Sequence, residues 1–439
     1  MNAWPRTGQA AATLLAGTIA LVAAEARAIE IQEVVSPRGI LAWLVEEPSV
    51  PLIAMSFAFT GGATEDPPGR PGVANLLSRI LDEGAGELDS AAFQARLDDL
   101  AIDLSFSTGR DTFNGSLQTL VENRDDAAEL LRLALTAPRF DAEPFARVRD
   151  QVAAGIRRGE RNPGAVAGTA LSETLFPGHP YGLPVDGTLD SVAAVDVADL
   201  RDYRNKVFAR DNLTIAVVGA IDRAALGAML DTIFAALPVK ADLAGARDVT
   251  PSSGGVIDID MAVPQTTIRF AMPGPKRDDP DFVAASIAAH ILGGGGAGAR
   301  LFDEVRSRRG LAYSIGLGLT PLDRAGLVAG GTSTRADQAD AIVDIVRDEI
   351  RRFAREGPDD EELAAARSYL IGSYPLRFTT SSRIAGQLLR IQLDGLGIDY
   401  VERRNGEIAA VTLDEARRAA RRLFGGGEIT VVRVGPPTG

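Results

Sequence analysis

Val50-Pro51 followed by the apolar run LIAMSFAF (52–59) is met again 213 residues later as Val263-Pro264 followed by QTTIRFAM (265–272). The same interval separates Asp66-Pro67 from Asp279-Pro280. Farther along, Ala193-Ala194-Val195 matches Ala409-Ala410-Val411, and TIAVVG (214–219) matches TVVRVG (430–435), both 216 residues apart. One such match between short apolar words is cheap, but a series in one register is the mark of a repeated structural unit. The chain therefore reads as two homologous domains, 29–240 and 250–439. They are joined through 240–255, where Pro251-Ser252-Ser253-Gly254-Gly255 has the composition of a linker.

Each half has the same coarse pattern. An opening hairpin is expected from ILAWLVE (40–46) and the run 52–59, then helices at 71–83 and 89–100 and strands at 102–108 and 112–119. Helices at 123–136, 142–160 and 163–176 follow, then a further helix, a strand at 212–218 that closes the sheet, and a helix at 222–236. The second half repeats this with strands at 255–261 and 265–272, helices at 280–292 and 299–308, strands at 312–319 and 326–333, and helices from 336 to 423. Strands grouped early and helices grouped late predict an α+β fold, each domain a mostly antiparallel sheet covered by helices on one face. Two such domains in one chain suggest a clamshell.

Composition narrows the function. The chain has 439 residues, 46 basic and 59 acidic, for a net charge of −13, with 46% hydrophobic and 24% charged residues. That is an ordinary globular balance. The acidic excess argues against nucleic acid, which needs a basic face. With no cysteine, thiolate metal sites, disulfides and cysteine nucleophiles are excluded. The only histidines are His179 and His290. No G-x-S-x-G elbow is present, which argues against a serine hydrolase.

Residues 1–28 read as a cleavable signal peptide. Arg6 precedes an apolar run from Ala10 to Ala24, and Ala26-Arg27-Ala28 is an A-x-A cleavage site. The run is short for a membrane span, which needs about 20 apolar residues. Cleavage after Ala28 would leave a mature chain with no membrane span, working in the periplasm or secreted.

Three motifs carry a family resemblance: FTGGATEDPPGRPGVANLL (59–77), FPGHPYGLPVDGT (176–188) and RGLAYSIG (309–316). Together they resemble the pitrilysin/insulinase family of zinc peptidases, across essentially the whole mature chain and in the family's domain order. The resemblance implies an H-x-x-E-H motif on the helix after the first segment. In that motif two imidazoles one helical turn apart bind zinc, and the intervening glutamate is the general base. The matching positions here are Asn75, Ser78 and Arg79, and the family's third ligand, a glutamate on a later helix, matches Gly155. An amide, a hydroxyl, a guanidinium and a glycine make no zinc site, so the chain is expected to bind no metal or other cofactor.

The resemblance also implies an arginine and a tyrosine seven residues apart, across the cleft from the metal. They match Arg306 and Tyr313. A guanidinium can grip a peptide carbonyl or carboxylate, and a phenol can donate to a developing oxyanion. Without the resemblance, Arg306 would read as one surface arginine beside Arg308 and Arg309, and Tyr313 as a half-buried strand residue. Some bacterial members are implied to be heterodimers, one chain with H-x-x-E-H and its homologous partner with the Arg/Tyr pair. This chain fits the second role: inactive alone, paired with a zinc-binding peptidase subunit, acting on peptide or unfolded polypeptide. The alternative is a catalytically inert peptide-binding or scaffold subunit of the same fold. Among weaker candidates, Gly293–Gly296 reads as a flexible break between helices, His179 as a turn residue, His290 as a helix-packing residue, and Asp359-Asp360-Glu361-Glu362 as a helix start.

Overall fold

In the computed structural model, which describes residues 30–437, the repeated apolar runs become inner strands of two sheets. The expected signal segment, 1–28, lies outside the described residues. The first sheet holds β1 (Gln32–Val35), β2 (Leu41–Glu46), β3 (Leu52–Thr60), β4 (Asp103–Thr108), β5 (Thr112–Leu120) and β6 (Leu213–Gly219), in the order β1-β2-β6-β3-β5-β4. The second holds β7 (Val256–Asp260), β8 (Thr266–Pro273), β9 (Ala312–Pro321), β10 (Gly326–Thr334) and β11 (Thr430–Gly435), in the order β7-β11-β8-β10-β9. Strand for strand this is the order of the first sheet without β1. Even the exceptions match: β2 runs parallel to β6 and β7 parallel to β11, while every other pairing is antiparallel.

Two expectations need correction. The run 40–46 and the run 52–59 do not form a hairpin, because β6 lies between β2 and β3. Nor does β6 close the sheet at an edge. The five residues between β2 and β3 are long enough to step across two inter-strand spacings of about 4.8 Å. The reason β6 takes the centre is its composition: Ile215, Ala216, Val217 and Val218 are all buried, which only an inner strand covered on both faces achieves.

The first half carries α1 (Val73–Ser78), α2 (Ser90–Asp99), α3 (Arg124–Thr136), α4 (Ala142–Gly159), α5 (Pro163–Leu175), α6 (Leu189–Ala194), α7 (Val197–Val207) and α8 (Arg223–Phe234). The second carries α9 (Phe282–Ala289), α10 (Arg300–Phe302), α11 (Ala339–Glu356), α12 (Asp360–Gly372), α13 (Ser381–Leu393), α14 (Tyr400–Ala410) and α15 (Leu413–Phe424). Their starts are written in the sequence as side-chain caps. Asp89, Asn162, Asp222 and Thr380 each accept an amide of the first turn, and Asp359 forms a reciprocal capping box with Glu362, as the acidic run predicts.

Strand alternation gives each sheet two faces. Ile53, Met55, Phe57, Phe59, Ile215 and Val217 face the main core of the first half, which includes Leu76, Leu131 and Leu230 from its own helices. Phe270, Met272 and Val431 do the same in the second half, against Ile342, Phe353 and Phe424. The opposite faces are covered by exchange. Helix α5 of the first half packs on β8 and β11, where Leu171 and Leu175 meet Ala271, Val432 and Val434. Helix α13 of the second half packs on β6 and β3, and Gln392 Nε2 donates to the Ile215 carbonyl at 3.0 Å. Small residues on that face, Ala54, Ala58 and Ala216, let the helix approach closely.

The FPGHPYG loop fastens the exchange. Tyr181, fully buried, donates its hydroxyl to Asp111 Oδ1 at 2.6 Å and accepts the Arg324 amide of the second half at 2.9 Å. Arg110 binds the Tyr181 carbonyl at 3.1 Å, and His179 reaches the Arg247 carbonyl of the linker at 3.0 Å. Both ring nitrogens of His179 are thereby engaged, because Nδ1 accepts the Tyr181 amide.

Each sheet also has an aromatic ring lying across a cross-strand glycine. A Cβ added at Gly115 would stand 2.1 Å from Phe57 Cζ, and one at Gly330 would stand 2.6 Å from Phe270 Cζ. Gly115 pairs with Phe57 and Gly330 with Phe270 in the two registers. Gly115→Ala and Gly330→Ala should each destabilise the fold by about 1–3 kcal/mol, the usual cost of overpacking. Urea denaturation of the two variants checks this.

Candidate functional site

Helix α1 is shorter than the span 71–83 suggests and ends at Ser78, because Gly72 opens it and Arg79 already leaves the helical ladder. Asn75 and Ser78 face inward and are buried, whereas Arg79 is exposed. Arg79 Nε donates to Asn75 Oδ1 at 3.2 Å, and Ser78 Oγ donates to the Asn75 carbonyl at 2.8 Å. Asn75 Nδ2 is buried with no partner. The one oxygen that could face a metal is thus taken by a guanidinium, and the remaining side-chain atom is a donor, which repels a cation. Helix α4 packs against α1, and Gly155 on it offers no ligand atom. Among the described residues, no group of three or more His, Cys, Asp or Glu side chains is placed to hold a metal ion. These residues do not fit the zinc that the fold implies.

The face is nevertheless tightly built. Glu83 forms a two-pronged ion pair with Arg147 of α4 at 2.8 and 3.0 Å and accepts Ser90 Oγ at 2.5 Å. The Arg147 guanidinium holds the Glu83 carboxyl below the usual carboxylate range. Asp66 binds the Gly72 and Ala74 amides, both at 2.7 Å, and so fixes the chain entering α1. Burial pushes its carboxyl up to about 7, against the opposing pull of those two amides. The repeated Asp279 has taken another role: it pairs with Arg422 at 2.6 Å and accepts the Asp281 amide at 2.9 Å.

In the second half, the helix expected over 299–308 is only α10, which widens into a π-turn over Asp303–Ser307. The Arg308 amide reaches back five residues to the Asp303 carbonyl at 2.9 Å. Arg306 sits on this turn. Its neighbours Arg308 and Arg309 are tied to buried Glu304 at 2.7 and 3.0 Å. Arg306 instead lies over aromatic rings, 5.0 Å from the Phe302 centroid and 4.3 Å from that of Tyr313. A cation–π contact positions the guanidinium without consuming its donors.

Tyr313 is the second residue of β9 and is 79% exposed. A β-bulge explains so much exposure for a large aromatic residue in a strand. Thr332 pairs with Ile315 and Thr334 with Ala312, so Tyr313 and Ser314 together oppose Ser333. Ala312 and Ile315 stay buried while the two residues between them turn outward. The buried hydroxyls of Thr332 and Thr334 hold the Ser314 and Leu311 carbonyls, both at 2.6 Å. Bulges commonly re-aim one side chain at functional sites. Arg306 and Tyr313 line one open cleft of about 840 Å³, together with Arg269 and Arg335. Asn75, Ser78, Arg79 and Gly155 do not line it.

Residues 43–189 match the family model of insulinase (peptidase family M16), and residues 194–370 match that of the peptidase M16 inactive domain. A solved peptidase M16 inactive domain from Pseudomonas fluorescens is 30% identical, with a TM-score of 0.87, covering 93% of this chain and 99% of that one. This chain belongs to the M16 family. Lacking donors for zinc, it is an inactive M16 homologue. A non-peptidase homologue of Helicobacter pylori is 25% identical over 83% of this chain and 85% of its own length. An uncharacterized zinc protease of Streptomyces coelicolor is 27% identical, covering 83% of this chain and 81% of its own.

Other parts of the M16 chain resolve as packing. His290 stacks on Tyr369 with centroids 5.0 Å apart, and burial lowers its pKa. The glycine run is less a flexible break than a close contact, since a Cβ at Gly293 would stand 2.6 Å from Leu317 of β9. Sequence reasoning missed Arg269 and Arg335 in the cleft. The signal for Arg269 was present, an arginine inside the apolar run QTTIRFAM.

Two outcomes are expected. Metal analysis of the purified chain should find zinc far below one per molecule, and a chelator should leave its melting temperature unchanged. Asp66 holds its proton in the folded state up to about pH 7 but loses it near pH 4 when unfolded. Its contribution to stability is therefore full below that lower value and is lost as pH rises to about 7. Asp66→Asn should flatten that part of the stability–pH curve.

Proposed function

We propose that this chain is the zinc-lacking subunit of a heterodimeric M16 metallopeptidase that hydrolyses peptides, inactive alone and complete only with a homologous zinc-bearing partner. The observation that carries the reading is the placement of Arg306 over the Tyr313 ring at 4.3 Å, in an open cleft, on a π-turn and a β-bulge. Both groups keep free donors. A guanidinium held by ring contact can grip a substrate carbonyl, and an exposed phenol can donate to the oxygen that becomes negative as the peptide bond is attacked. The metal chemistry belongs to the partner. The substrate is a short or unfolded polypeptide, the secretion signal over 1–28 sends the chain to the periplasm or outside the cell, and 29–240 and 250–439 are its two homologous domains.

A second reading has a specific observation in its favour, the Helicobacter pylori relative described as a non-peptidase homologue. In it the chain is an inert peptide-binding or assembly subunit. Co-expression with a secreted paralogue bearing H-x-x-E-H, followed by size measurement and a peptide assay of the pair and of each chain, separates the two. On the first reading the pair cleaves peptides and neither chain does alone. Arg306→Ala or Tyr313→Phe should leave the pair assembled and reduce its turnover by about 10²–10³. Wild-type turnover from both variants would sink the catalytic role.

A further inference from the structure

The cleft of Arg306 and Tyr313 has a charge pattern that gripping a neutral peptide bond does not require. Two more guanidiniums line it, Arg269 of β8 and Arg335 just past β10. Among the described residues no aspartate or glutamate lines it, although acidic residues outnumber basic ones 59 to 46 in the chain. Arg335 is already met by Asp337, with Nε 3.0 Å from Oδ1. Arg269 and Arg306 have no carboxylate partner among the described residues. Surface arginines elsewhere in this chain are commonly paired, as Arg308, Arg309 and Arg433 are.

Arg269 is also held in place by shape. Its stem lies across Gly331, where a Cβ would come within 2.9 Å of Cδ and 3.0 Å of Nη1. Its other terminal nitrogen lies 3.7 Å from the position a Cβ would take at Gly164, in the first turn of α5. A cation beside the positive end of a helix is an unfavourable approach that a bound anion relieves. Thr267 and Ser333, whose hydroxyls are 3.3 Å apart, add polar groups on the same wall.

We infer that this cleft selects peptides that bear a carboxylate, which Arg269 receives while Arg306 and Tyr313 hold the adjoining main chain. The inference rests on the reading of the cleft as a peptide site. The carboxylate can come from an acidic side chain or from the peptide's own C-terminus.

The test is fluorescence anisotropy on the full chain from Ile29, with one labelled extended octapeptide in three versions. The first has a central glutamate and an amidated end, the second a central glutamine and a free C-terminus, and the third a central glutamine and an amidated end. At low salt, one of the first two should bind at least tenfold more tightly than the third, and which one does so identifies the source of the carboxylate. The advantage should shrink in 0.5 M salt, since a Debye length of about 4 Å screens such a contact. Arg269→Gln should remove the advantage without changing affinity for the third peptide, and Arg269→Lys should restore part of it. Equal binding of all three versions, a preference that survives Arg269→Gln, or no binding of any version overturns the inference. The peptide-holding role fails separately, if Arg306→Ala leaves affinity for the third peptide unchanged.

Discussion

The structure depends on burying both faces of two sheets that cannot do so alone. The inner strands β3, β6, β8 and β11 are apolar on both sides, and each half covers only one side with its own helices. The second side is sealed by a helix lent from the other half, α5 in one direction and α13 in the other. At about 25 cal/mol per Å² of apolar surface, leaving such a face in water would be prohibitive for a domain whose net stability is only about 5–15 kcal/mol. Tyr181 locks the arrangement, with a buried hydroxyl that bridges Asp111 and the Arg324 amide. The FPGHPYG loop that helped reveal the family is therefore a structural clasp.

Much of this was legible in the sequence. Strand and helix positions follow from period and caps, and the duplication from matched words at a constant spacing. The repeated Phe57–Gly115 and Phe270–Gly330 pairs extend that duplication into packing. Strand order was not legible. Whether LIAMSFAF pairs with its predecessor or with a strand more than 150 residues later is a non-local choice, settled by which strand most needs burial on both faces. The continuous apolar character of TIAVVG was the clue, since an edge strand or a half-exposed one alternates. The helix exchange was equally hidden, because local pattern says that a helix is amphipathic but not whose sheet it covers.

The candidate site divides along the same line. Residue types at Asn75, Ser78, Arg79 and Gly155 suffice to reject zinc, because donor chemistry is a property of the residue and needs no coordinates. The positions of Arg306 and Tyr313 depend on irregularities of backbone that periodicity cannot anticipate: a π-turn in place of a regular helix end, and an extra residue in β9. Arg269 joins them from a strand more than thirty residues earlier in sequence. The two halves of the duplication have thus diverged in opposite ways. One has filled its former metal face with an internal amide–guanidinium contact, and the other has kept its polar groups turned outward.

The lent helices also set a timetable. As the polypeptide emerges from N to C, β3 and β6 are complete long before Ser381 appears, so the alanine-lined side of the first sheet stays bare during synthesis. A chain destined for export benefits from that delay, because translocation requires an unfolded passenger. Once it has crossed, the last helices arrive and close both modules in one step. Severing the polypeptide at the linker would leave two fragments that can mature only by finding each other.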